Sequence, residues 1–195
     1  MQDRAARTRE ILIRGAAVCI DAQGYRGATL TAISRLCDVS IGALTFHFPD
    51  KAGLAAAVAR TGADSARRVV AEASERYDSP LRAVGAVLQA LARLVEEDVV
   101  VRATALLARE RADIAADWQQ AWLPRLEELA EEADARGELG PAGTPRLLTS
   151  LVSWLLTAAE AHPRTRAGQR ADEVMSGELA RVWPLLECGI AKGPC

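Results

Sequence analysis

A chain of 195 residues, half of them hydrophobic and 26% charged, is long enough for one compact unit or for a small domain joined to a larger one, and too apolar to be disordered. Its longest apolar stretch, Leu147 to Ala159, contains Ser and Thr and falls short of a membrane span, and charges scattered through the first fourteen residues argue against a signal peptide. The formal charge of −2 hides an asymmetry: residues 1–60 carry eight basic and five acidic side chains, net +3, and the remainder is net −5, as expected of a protein that touches phosphates at one end only.

A cytoplasmic protein with no membrane partner is therefore expected. The four cysteines, Cys19, Cys37, Cys188 and Cys195, show no CxxC spacing, and the two histidines, His47 and His162, do not pair. This excludes a zinc site, and in the cytoplasm a disulfide framework; no metal and no cofactor is expected. No Ser-His-Asp order or phosphate loop is present, and Glu127, Glu128, Glu131 and Glu132 read as a solvated helix face, so the chain is not expected to be an enzyme.

Nearly every segment has helical periodicity. A first helix is predicted from about Ala6 to Gln23, with Ile11, Leu12, Ala16, Val18 and Cys19 on its apolar face and Gly24 to Gly27 ending it. Thr29 then caps a short helix, Leu30 to Cys37, and Ser40 caps another, Ile41 to about His47, across an Asp38-Val39 turn. Lys51 opens a long helix to about Arg76. Asp78-Ser79-Pro80 starts the next, and further helices are predicted at 81–97, 100–112, 114–136, 144–161 and 170–190, with loops at 137–144 and 162–168. The architecture is all-α, about nine helices, divided into residues 1–50 and 51–195.

The informative stretch is Leu30 to Phe48. Its two short helices must pack on one another and on the first helix through Leu30, Ile33, Leu36, Val39, Leu44 and Phe48. The second then projects Gly42 and Ala43, with Thr45 close by; small side chains let a helix sink into a DNA major groove, with the Ser40 cap toward phosphate. His47 and Lys51 follow at a spacing that reaches the same duplex backbone. An ordinary helical hairpin fits this pattern equally well.

From Thr8 to about Leu54 the chain resembles the N-terminal domain of TetR-family regulators. The resemblance is carried by Arg9-Glu10-Ile11-Leu12, Gly24-Tyr25-Arg26-Gly27-Ala28-Thr29-Leu30, Val39-Ser40-Ile41-Gly42-Ala43-Leu44, His47-Phe48 and Lys51, in order and spacing. It implies a three-helix helix-turn-helix head that binds DNA, a helical body that binds a small ligand, and a homodimer paired through the last two long helices. Thr29, Ser40, Ile41, Gly42, Ala43, Thr45, Phe46, His47 and Lys51 are the DNA-binding candidates. Within the family, Gly42 to Phe48 is similar to the γ-butyrolactone receptor branch and its pseudo-receptor relatives. Thr45 stands where that branch usually has Tyr, and Ile41 where it often has a basic residue.

Four tryptophans lie in the body, each readable as a core or interface aromatic. Trp118, or Trp122 one turn later, is the candidate to project into an apolar ligand cavity, with Val84, Leu88, Thr104 and Leu107 on its walls or simply in a core stripe. Leu151, Trp154, Leu155, Leu179, Val182 and Leu186 supply apolar surface for pairing two chains, which would set two recognition helices roughly 34–36 Å apart on one face of a duplex. The expected function is a dimeric repressor of palindromic operator DNA, released by a γ-butyrolactone-type signal or an antibiotic. A multidrug-responsive repressor of an efflux gene is the alternative.

Overall fold

The computed structural model describes residues 2–161 and 175–192, and among these the chain is all-α. Its helices are α1 (Gln2–Gly27), α2 (Leu30–Leu36), α3 (Ile41–His47), α4 (Lys51–Ser74), α5 (Pro80–Glu97), α6 (Val99–Glu110), α7 (Ala112–Gln120), α8 (Leu123–Ala135), α9 (Pro145–Ala161) and α10 (Met175–Ile190). The expected loop at 162–168, with His162, and residues 170–174 lie outside the described residues.

There are ten helices among the described residues instead of nine, because the segment expected to be one helix over 114–136 is two. Pro124 sits in the first turn of α8. Proline has no N–H to bond back to Gln120, and its ring collides with a preceding helical turn. The chain therefore breaks at Ala121-Trp122 and restarts, the first bond of the new helix running from the Leu126 N–H to the Trp122 carbonyl at 3.2 Å.

The chain forms two compact units, Met1–Ser65 with Asp98–Gln119, and Ala66–Glu97 with Gln120–Cys195. This differs from a single division after residue 50, and the reason is α6. Its Val100, Ala103 and Leu107 share one core with Leu12, Ala16 and Ile20 of α1, Ile33 of α2, Leu44 of α3 and Leu54 and Val58 of α4. The helices α2 and α3, seven residues each, are too short to enclose that core with α1 alone.

The face α1 buries is rotated from the expected one. Leu12, Ile13, Ala16, Cys19 and Ile20 are buried, whereas Ile11 and Val18 are exposed on the adjoining flank. Leu36, expected in the packing of the short helices, is also exposed. As expected, α1 loses regular geometry at Gly24, whose φ of 71° and ψ of 170° belong to a region open to glycine alone. The Tyr25 N–H just beyond it donates to the Glu110 carboxylate at 2.7 Å.

In the second unit, α5 buries Leu81, Val84, Leu88, Leu91 and Val95, α8 buries Leu126 and Leu129, α9 buries Leu148, Val152 and Leu156, and α10 buries Leu179 and Trp183. The start of α5 is capped from a distance: the Glu138 carboxylate accepts from the Ser79 hydroxyl at 2.8 Å and the Leu81 N–H at 3.0 Å. Cys188 is disulfide-bonded, contrary to the expectation of unpaired thiols; Cys19 and Cys37 are free. Among the described residues no helix is long and apolar enough to cross a membrane, and none form a metal-binding group of three.

Candidate nucleic-acid interface

The helices α2 and α3 are each held at their N-termini by the side chain predicted for it. Thr29 Oγ1 accepts from the Ala32 N–H at 3.1 Å, and Ser40 Oγ from the Ala43 N–H at 3.2 Å. The turn between them runs through Asp38 at φ 52°, a left-handed conformation that the short polar side chain of Asp tolerates. The Ser34 hydroxyl donates to the Val39 carbonyl at 2.5 Å and closes the turn from inside. Leu44 and Phe48 anchor α3 in the core.

That anchoring leaves one face of α3 open. Ile41, Gly42, Thr45 and Phe46 are exposed on two rows four residues apart, Ala43 is half-buried, and Phe46 is 83% exposed. Nothing lies within 4 Å of where a Cβ on Gly42 would stand. The Thr45 hydroxyl turns back on its own helix, 3.0 Å from the Ile41 carbonyl and 3.1 Å from that of Gly42. His47 sets its ring edge-on to Phe46, centroids 5.4 Å apart. Lys51 is held by the head: its Nζ donates to the Arg26 carbonyl at 3.3 Å and lies 4.4 Å from the centre of the Tyr25 ring. Arg111 also lies over this ring, 4.7 Å from its centre. Its fork bonds to Asp113 push the guanidinium pKa up further still and pull the Asp113 carboxyl below its usual range.

The pocket candidates fall in different units. Val84, Leu88 and Trp122 belong to the second, all buried. Trp118, Thr104 and Leu107 belong to the first, where Leu107 is core and the Thr104 hydroxyl lies 2.8 Å from the Val100 carbonyl and 3.2 Å from that of Val58. Trp122 is distinctive: its indole N–H is buried and has no hydrogen-bond partner. A recess of about 550 Å³ opens against its neighbours Ala121 and Pro124, with Val70 and Ser74 opposite. Of the pairing candidates, Trp154 and Val182 are exposed, Leu151, Leu155 and Leu186 half-buried, and Leu179 is buried.

Residues 12–58, which span this helix-turn-helix, match the family model described as bacterial regulatory proteins, tetR family. The match covers this N-terminal segment, about a quarter of the chain. The chain is 28% identical over 184 residues to the A-factor receptor protein of Streptomyces griseus, an alignment covering 93% of the chain and 63% of that relative. It therefore spans just under two thirds of the relative's length. A shorter match, 36% identity over 70 residues, covers 36% of the chain and 37% of the HTH-type transcriptional repressor AcnR of Corynebacterium glutamicum. Among solved structures, a γ-butyrolactone receptor described as ArpA-like superposes with a TM-score of 0.78 and 26% identity, covering 96% of this chain and 90% of that one.

Two features stand outside the residues expected from sequence. Leu185, the most exposed apolar residue of α10 at 74%, follows Val182 by three and was marked by that helical spacing. A groove of about 560 Å³ in the second unit is bordered by Val69, Tyr77, Gln89, Arg93 and Trp183. It contains none of the expected pocket residues, and no sequence pattern announces it.

Proposed function

We propose that this chain is a ligand-responsive transcriptional repressor that acts in the cytoplasm, binding palindromic operator DNA as a homodimer through α3. The observation that carries this reading is the open face of α3, presented from a capped helix-turn-helix whose core Leu44 and Phe48 hold rigid. Phosphate contact falls to the surrounding basic side chains, with Thr29, His47 and Lys51 at the edges of the motif, and base contact to Ile41, Gly42, Ala43, Thr45 and Phe46. Pairing uses the exposed apolar residues of α9 and α10, Trp154, Val182 and Leu185; one head alone contacts too few phosphates to select an operator.

The small molecule is of the γ-butyrolactone type or an antibiotic. The unpartnered indole N–H of Trp122 supports this choice, since a lactone carbonyl is the acceptor it lacks and an alkyl tail suits apolar residues such as Val84 and Leu88, buried in the same unit. Release follows if the ligand binds the non-operator state more tightly; a preference of about 3 kcal/mol shifts the balance roughly a hundredfold. The test is selection of duplexes from a random pool by the purified full-length chain at near-physiological salt. A palindromic consensus is expected. An unenriched pool refutes the proposal.

A further inference from the structure

Which chemical feature of a base pair α3 reads follows from what its open face lacks. A base edge in the major groove is read by hydrogen bonds from side-chain donors and acceptors, or by apolar contact with the C5-methyl of thymine. The exposed residues of α3 are Ile41, Gly42, Thr45 and Phe46, and no Arg, Lys, Asn, Gln, Asp or Glu lies between Ser40 and Phe48. The one hydroxyl on that face, Thr45, has its proton engaged by the carbonyls of its own helix. His47 is half-buried, its ring edge-on to Phe46. Polar readout from the centre of the helix is thus absent among its exposed side chains.

Apolar area is present instead, and its exposure is unusual. Phe46 is 83% exposed and Ile41 43% exposed, although each is a side chain whose burial is worth a few kcal/mol. The fold finds no use for this area in either case, while the buried positions of the same helix, Leu44 and Phe48, are fully packed. The His47 ring stands edge-on to Phe46, centroids 5.4 Å apart. Gly42, four residues before Phe46, has open space where a Cβ would stand.

We infer that Phe46 and Ile41 are specificity-determining residues that recognise the C5-methyl groups of thymines in each operator half-site. The inference rests on the operator-binding reading above. Hydrogen-bond readout of the base edges contributes little, and the half-site is defined by where thymine methyls stand.

The test uses the full-length protein and a duplex obtained by selection. Each half-site thymine is replaced in turn by deoxyuridine, which pairs identically but lacks the methyl, and affinity is read by fluorescence anisotropy at one fixed salt concentration. One or two positions are expected to weaken about fourfold each, the worth of a buried methyl group. Phe46→Ala or Ile41→Ala is expected to bind thymine and deoxyuridine duplexes equally at the position it reads, and both side chains are exposed enough for the fold to survive their loss. Deoxyuridine tolerated at every position, with selective binding retained, overturns the inference and leaves the repressor reading standing. A pool without any enriched duplex overturns both.

Discussion

Gly62 and Thr104 illustrate how one atom decides a side chain's job. A Cβ added at Gly62 would stand 2.2 Å from Thr104 Oγ1 and 2.8 Å from its Cβ, with the Val100 carbonyl at 3.2 Å. Thr104 is fully buried, and its hydroxyl has a single proton to share between the Val58 and Val100 carbonyls. Its hydroxyl and methyl are packed between α4 and α6. Gly62→Ala is accordingly expected to cost about 1–3 kcal/mol through overpacking, seen as a lower urea midpoint with an unchanged slope. An unmoved midpoint would mean that α6 can retreat without cost. Periodicity marked Thr104 as inward-facing, which it is; it carried no information on what it faces.

At the scale of the element, the break before α8 matters most. Trp122 occupies the N-cap position with φ −138° and makes no side-chain capping bond, and its indole N–H is buried without a partner. Trp122→Phe keeps most of the ring and deletes the donor. The expected result is an intact fold, unchanged operator affinity, and about tenfold weaker response to an alkyl-substituted γ-butyrolactone, the worth of one hydrogen bond. A full response would assign Trp122 to packing alone. The helices themselves were legible from their apolar spacing, their caps at Thr29 and Ser40 and the glycine at 24, because those signals act within a few residues. The rotated face of α1 and the split at Pro124 were not, for different reasons. The first depends on which neighbour covers the helix, and the second is masked because the charged run after Pro124 continues a helical pattern. The pocket candidates Val84 and Leu88 look the same in sequence as Leu107, yet they belong to different cores; spacing identifies a buried face and not the body that buries it.

For the whole molecule, the head is not a contiguous piece of chain. Residues 1–65 contain α1, α2, α3 and most of α4, but their core is completed by Val100, Ala103 and Leu107. A fragment ending at residue 65 would leave Leu12, Leu54 and Val58 against water. It is expected to retain helical circular dichroism while melting without a sharp transition, in contrast to the cooperative unfolding of the full chain. A sharp transition in the fragment would show that α6 is dispensable. The Glu110 carboxylate that holds the Tyr25 N–H reinforces the same dependence, fastening the end of α6 to the strained corner of α1. The consequence concerns modularity. A single crossover in the gene cannot exchange this DNA-reading unit for another, since a recombinant that swaps only the first third of the protein inherits a mismatched α6. New operator specificity is more readily reached by point substitutions on α3, where Ile41, Gly42 and Phe46 touch no core residue's place, than by shuffling whole heads between relatives.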